Sequence, residues 1–457
     1  MRRTLIKNAT IVTMDPDLGI LKNADLLFEG EKIAEVSQQI TADDAEIVDA
    51  SGNIVIPGLV NAHQHTWQTG IRGIAGDWTM FDYLRTMHAN LATQFRPDDI
   101  YIGNLVGALN QIDGGVTTLL DWCHNNPTPD HTDRAIDGLE ESGIRALFCH
   151  GTPKPDPKDG GPHFSEIPQP ASEIERLHKG RFSSQEQRVT LGMAILGPWY
   201  GLYDVAVQDI KLAQAHDLFV TAHMGLAFPR LAPDGVYRLA KDGLLSSKYN
   251  AVHCNTMTDE ELKILADHGC SISATPEVEI QMGFGYPVAG RYQKLGGLST
   301  IGVDVECNIS GDMFQIMRFT LQCHRLLENA PKVEAGEAVD ELSLKGLDAL
   351  RWATIDGARA MGLDDKIGTL TPGKQADITI INGKSLNLIP VHDVVETLVF
   401  QTFAHNVDYV FIAGDCMKKE GKLLFDGLDG KIHELEQSGA RILRDSGLER
   451  FANHEIT

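Results

Sequence analysis

The hydrophobic pattern of the chain changes twice along its length. From Thr4 to Val36, short apolar and polar stretches alternate loosely and break at turn residues. Asp25–Val36 reads as two runs around Gly30, a hairpin signal. A long middle region then repeats one unit: apolar run, polar loop, amphipathic stretch. The apolar runs are Ile54–Ala62, Thr117–Trp122, Arg145–Cys149, Val189–Leu196, Leu218–Ala222, Ala251–His253, Cys270–Ala274 and Thr300–Val303. Between them, Pro97–Asp113, Asp130–Glu141, Val205–His216 and Thr258–His268 have helical spacing, and Thr258 with Glu261 forms a capping-box signature. Strands alternating with helices imply right-handed βαβ units on a parallel sheet, and eight such units predict a closed (β/α)8 barrel. Strand texture returns at Gly373–Ile381 and Val407–Gly414, and Lys431–Arg450 reads as a helix. Both ends are therefore β-rich. The segment His150–Arg188, rich in Pro, Gly and charge, is long for a βα connection and has the character of an active-site lid.

The chemistry is concentrated where the runs stop. The first run ends in His63-Gln64-His65. Side chains at i and i+2 of a strand point the same way, so two imidazoles converge on one point where a divalent metal can sit. The second run ends in Asp121 with His124 close behind, and the third in His150. The fifth ends in His223, the sixth in His253 and the eighth in Asp304. These are carboxyl ends of barrel strands, the face on which barrel enzymes carry their chemistry. A metal there lowers the pKa of a bound water to about 7 and polarises the electrophile. Asp304 is the natural proton acceptor, and His253 is either a further ligand or a donor to a developing oxyanion. His124 and His150 read equally well as substrate-pocket or loop residues. Trp67, with Trp78 and Phe81, is a candidate apolar pocket lining, with core packing the alternative. Asp312 suits a helix cap better than Asp304 does.

Composition narrows the partners. A formal net charge of −23 and a pI near 5.1 argue against nucleic acid and anionic membrane. No stretch approaches the ~20 apolar residues a membrane span needs, and the N-terminus lacks the apolar region of a signal peptide. The seven cysteines are widely spaced without a CxxC, which predicts reduced thiols and a cytoplasmic setting. The expected partner is a small-molecule substrate, in a homo-oligomer of two or more copies.

The run Pro57–His65, together with His223, His253, Asp304, Gly114–Thr118 and Gly368–Asp377, resembles the amidohydrolase superfamily. The nearest branch by motif is the cytosine/guanine deaminase and triazine hydrolase group. The resemblance implies a distorted (β/α)8 barrel carrying a β-sandwich built from both termini. The expected parts are residues 1–56 and 366–457 for the sandwich, the latter with a C-terminal helix, and 57–365 for the barrel. It further implies one divalent ion, Zn²⁺ first and Fe²⁺ second, on His63, His65, His223 and Asp304, with His253 assisting; strand four carries no Lys to bridge a second ion. Gln68 and Arg72 match a Gln and an Arg-Gly of that branch. The implied reaction is hydrolysis of a non-peptide C–N bond in a small cyclic amidine or N-heterocycle. Two positions depart from the branch. The deaminase Glu three residues after the strand-five His is Leu226, and strand seven lacks its His at Ser273–Glu277. Glu277, Glu279 or Glu306 could replace the lost acid, with Glu277 taken as the proton-shuttle candidate. The alternative is a substrate with a non-amino leaving group such as halide or thiolate, or a urea or carbamate.

Overall fold

The computed structural model describes residues 2–158 and 160–452. Five strands come first: β1 (Arg3–Val12), β2 (Ile20–Glu29), β3 (Lys32–Ser37), β4 (Glu46–Asp49) and β5 (Ile54–Pro57). Gly30, at φ 57°, makes the turn between β2 and β3. The barrel strands follow: β6 (Leu59–Gln64), β7 (Val116–Cys123), β8 (Arg145–Gly151), β9 (Val189–Ile195), β10 (Phe219–Met224), β11 (Tyr249–His253), β12 (Ser271–Ala274) and β13 (Leu298–Ile301). Each pairs in parallel with its neighbour in chain order. β14 (Ile378–Ile381), β15 (Val407–Ile412), β16 (Asp415–Lys419) and β17 (Lys422–Leu423) then return to the N-terminal strands.

The terminal strands form one mixed nine-stranded sheet in which β14 pairs with β5 and β5 with β1. The expected sandwich thus takes the form of a single sheet around its own core of Ile6, Ile11, Leu26, Phe28, Ile378 and Phe411. The start of β3 meets the chain just before β14: Lys32 bridges Gln375, and Ala376 N–H donates to Glu31 O.

The apolar run Ile54–Ala62 is two strands rather than one. It divides at Gly58, where a Cβ would lie 2.1 Å from the Thr117 hydroxyl. Only glycine lets the chain pass this close to β7 while leaving the terminal sheet for the barrel. The barrel closes between β6 and the chain after β13. Asp304 N–H donates to His63 O (2.9 Å) and His65 N–H to Asp304 O (2.7 Å). Gly302 permits that approach, since a Cβ there would sit 2.6 Å from the His63 backbone.

The barrel interior is filled by Val60, Ala62, Leu120, Trp122, Leu147 and Val252, among others. The helix Pro97–Asp113 starts with Pro at its first position and Asp98 and Asp99 in its first turn. Thr258 and Glu261 form the anticipated capping box, and the Asp312 side chain caps Met313–Glu334. The segment after β8 contains a helix at Ala171–Lys179 and a 3-10 turn at Phe164–Glu166; Asp159, within it, lies outside the described residues. The tail helix is Leu428–Asp445, followed by a short turn of helix at Glu449–Ala452. No described helix is long and apolar enough to cross a membrane, and all seven cysteines are free.

Candidate active site

The barrel brings five side chains to one point at the carboxyl ends of its strands. β6 supplies His63 and, just past its end, His65; β10 supplies His223; β11 supplies His253; the turn after β13 supplies Asp304. His63 Nε2 and His223 Nε2 lie 3.4 Å apart. Asp304 Oδ1 lies 3.5 Å from His63 Nε2 and 3.4 Å from His65 Nε2. Asp304 Oδ2 is 4.0 Å from His253 Nε2. Ligand atoms of His63, His65 and His223, and of His63, His253 and Asp304, form two overlapping groups within 4.8 Å. The backbone is strained to achieve this: His253, Cys254 and Asp304 have φ of 74°, 60° and 71°. Left-handed conformations of this kind cost about 1–3 kcal/mol each and cluster at functional sites.

These groups are all buried. Burial pushes the His63 imidazole below its ordinary range, and the His65 and His223 imidazoles well below it. Burial alone would raise the Asp304 carboxyl; the surrounding imidazoles override it and hold the carboxyl at about 2. The set is therefore three neutral imidazoles and an ionised carboxylate. Tetrahedral zinc with ligand bonds of ~2.0–2.1 Å needs donor–donor edges of about 3.4 Å, which is the spacing found here. His65 is already oriented, since Nδ1–H donates to Trp122 O (2.8 Å), leaving the Nε2 lone pair facing Asp304. Imidazole nitrogens facing one another at 3.4 Å beside a carboxylate fit a divalent cation.

A second layer fixes the first. The Trp122 indole stacks on His223 with centroids 3.7 Å apart, and His124 stacks on His65 at 4.2 Å. His253 Nδ1 faces Thr275 Oγ1 (3.1 Å) and Glu279 Oε1 (3.4 Å). Glu279 is fully buried, and also accepts from Thr275 N–H (2.8 Å) and Asn255 Nδ2 (2.9 Å). Thr275 Oγ1 lies 3.3 Å from Asp304 Oδ2, so one polar chain joins Asp304, Thr275, His253 and Glu279.

Residues 54–417 match the model of the amidohydrolase family. The chain belongs to the amidohydrolase family. This amidohydrolase is 27% identical to a 5'-deoxyadenosine deaminase of Methanothermobacter thermautotrophicus over 91% of this chain and 95% of that protein. It is 25% identical to a 5-methylthioadenosine/S-adenosylhomocysteine deaminase of Symbiobacterium thermophilum, covering 97% and 100% of the two chains. Its fold matches that of atrazine chlorohydrolase from Arthrobacter aurescens complexed with zinc (TM-score 0.83, 21% identity, 95% and 100% covered). It also matches that of an adenosine deaminase from Xanthomonas campestris with bound zinc (TM-score 0.80, 23% identity, 96% and 98% covered).

The amidohydrolase site corrects three of the sequence expectations. Trp67 does not line the cavity: it is fully buried against Phe95, and its indole N–H donates to His124 Nδ1 (3.0 Å). Gln68 is fully buried and spends its amide on Tyr83 OH and Cys307 Sγ, so it backs the cavity wall instead of facing a substrate. Glu277 points away from the cluster and accepts from Gln315 Nε2. Two residues further on a helix lie on nearly opposite faces, and on the helix Pro276–Gln281 it is Glu279 that faces the site. Glu306 is held by Arg72, Thr69, Asn110 and Gln111 behind the site. His124 does line the inner cavity, whereas His150 bonds Gln169 Oε1 outside it. Leu226 lines the cavity and puts no carboxylate there.

Sequence reading missed Lys154, Tyr200, Tyr83 and His88, all of which line the inner cavity of this amidohydrolase. None sits at the end of an apolar run, which was the signal used. Lys154 lies in the long segment after β8, whose composition marked it as a lid but singled out no side chain.

Proposed function

We propose that this amidohydrolase is a mononuclear, zinc-preferring hydrolase of a C–N bond in a small N-heterocycle, with deamination as its main reaction. The observation that carries this reading is the convergence of His63, His65, His223 and Asp304 at donor spacings that fit one divalent ion. The deaminase names of the curated relatives support it. Those four residues would hold the ion, which supplies an acidified water and polarises the carbon under attack.

The chain's own groups do the rest. Asp304 keeps Oδ1 against His63 and His65, leaving Oδ2 to accept the proton of the attacking water and deliver it to the departing nitrogen. His253 directs Nε2 toward the same space and donates to the negative charge that develops on the substrate. Glu279 accepts from His253 Nδ1–H, which fixes the ring. Trp122 and His124 clamp two of the imidazoles by stacking.

A second reading has its own observation. Leu226 stands in the cavity wall where an acid would protonate the ring. A substrate with a good non-amino leaving group, such as halide or thiolate, or a urea or carbamate, needs that protonation less. One experiment tests both. The protein is stripped with chelator and reloaded with Zn²⁺ or Fe²⁺, then assayed for ammonia against other products on a panel of adenosine-type, pyrimidine and triazine heterocycles. Restoration of ammonia release by metal supports deamination, and release of another group supports the second reading. Turnover indifferent to chelation overturns both.

A further inference from the structure

Two cavities meet at the mouth of the barrel. The inner one, about 30 Å³, lies over the histidine cluster. It has room for a few atoms only, so most of a substrate must lie in the outer one, about 370 Å³. The outer cavity is walled by Phe81, Phe164, Trp199, Phe228 and Leu231. Lys154 and Tyr200 line both spaces and so stand at the throat between them.

Neither polar group is used by the protein. Lys154 is 8% exposed and makes no ion pair or hydrogen bond among the described residues. The Tyr200 hydroxyl is buried and has no hydrogen-bond partner among them. The Lys154 ammonium lies 5.9 Å from the Tyr200 ring centre, so the two groups are neighbours. An unpaired buried amine and an unpaired buried hydroxyl each weaken a fold. Their joint presence at the throat makes sense when a ligand completes them.

We infer that Lys154 and Tyr200 form a two-donor clamp for a hydrogen-bond acceptor on the substrate, a ring nitrogen or carbonyl oxygen next to the reacting carbon, whose apolar substituent lies in the outer cavity. This rests on the proposed reading of the site as a heterocycle hydrolase, and makes the throat the specificity determinant. Burial lowers the Lys154 amine to about 7, partly offset by Asp304.

The test uses metal-loaded full-length protein and three probes: 5'-deoxyadenosine, cytosine and atrazine. Affinity is read from KM and from quenching of tryptophan fluorescence, with metal content and Tm measured in parallel. Lys154→Met and Tyr200→Phe are each expected to weaken the best-bound probe about 10- to 100-fold at unchanged metal content. Lys154→Arg should restore part of the loss. The Tm of Lys154→Met should equal or exceed that of the wild type, because an unpaired buried amine is replaced by an apolar chain. A structural lysine would instead lose Tm on replacement. Wild-type binding that both variants leave unchanged, or a Tm loss in Lys154→Met that accounts for its weaker binding, overturns the clamp alone. Wild-type protein that carries metal but neither binds nor turns over any probe overturns the parent reading and the clamp with it.

Discussion

The two ends of the barrel are built on opposite terms. At the amino ends of the strands, where the barrel sits on the terminal sheet, the buried charges are paired across the junction. Arg145 makes a two-pronged pair with Asp377, both bonds 3.0 Å, and the same carboxylate accepts from Ala413 N–H (2.8 Å). Thr379 Oγ1 donates to Gly115 O (2.8 Å) across the same junction. At the carboxyl ends, three imidazoles face one another, three residues adopt left-handed backbone, and Lys154 and Tyr200 lack partners among the described residues. One end spends its chemistry on holding the fold; the other keeps it for a metal and a substrate. Substitutions at the two ends should therefore separate activity from stability.

The largest effect is expected at Asp304. Asp304→Asn removes the proton acceptor and one metal donor together. Turnover should fall by about 10³-fold or more, in line with loss of a general base, and bound metal should drop. Asn fills the same volume and tolerates the left-handed backbone at this position, so the denaturant midpoint of the apo protein should stay near that of the wild type. Full activity with full metal content in this variant would break the assignment of the site. The converse holds at the other end. Arg145→Ala leaves Asp377 buried without its cation, and breaking such a pair costs about 3–5 kcal/mol. Urea unfolding should show that loss, while KM of the fraction still folded stays unchanged. A KM shift as large as the stability loss would mean that the two ends are not separable.

Most of the architecture was legible because it follows from periodicity. Each of the eight apolar runs corresponds to a barrel strand, and the helix Pro97–Asp113 coincides with its amphipathic pattern. Periodicity could not show that Ile54–Ala62 belongs to two sheets, because both strands are fully buried and the apolar run passes from one into the other. What divides them is a close approach at Gly58, a long-range steric fact. The cluster of His63, His65, His223, His253 and Asp304 was legible because each residue terminates a strand, and a barrel collects strand ends at one face. The choice of Glu279 over Glu277 was not. It depends on which face of a six-residue helix is turned inward, and that is decided by packing rather than by residue type. Gln68 and Trp67 failed for a related reason: adjacency to the His63 motif does not say whether a side chain faces the cavity or the core.

That pair of glutamates sharpens the comparison within the active end itself. Glu279→Gln keeps the size of the side chain but removes the charge facing His253 Nδ1. Loss of such an outer partner typically costs about 10- to 100-fold in activity. The loss should fall in kcat, with KM and metal content near wild type, because Glu279 touches neither the metal donors' lone pairs nor the substrate space. Glu277→Gln, two residues away and bonded to Gln315, should leave kcat unchanged. Equal effects of the two substitutions would remove Glu279 from the site.

The smallest effect concerns a buried carboxyl that belongs to neither end. Asp209 is 1% exposed, and burial raises it to about 7 despite the bond it accepts from Gln169 N–H. In the unfolded chain the same group titrates near ~3.9. Between about pH 4 and pH 7 the unfolded chain has lost this proton and the folded chain retains it, so stability falls as pH rises through that window. Below pH 4 the group is protonated in both states and contributes no slope; above about 7 the cost is complete. Asp209→Asn keeps the acceptor for Gln169 N–H and has no proton to lose. It should therefore unfold at a higher urea concentration than the wild type at pH 8, by about 1–3 kcal/mol, and match it near pH 4. Because Asp209 lies outside the cavity, kcat and KM should be the same for both proteins across the range. A variant that tracked the wild type at every pH would place the proton elsewhere.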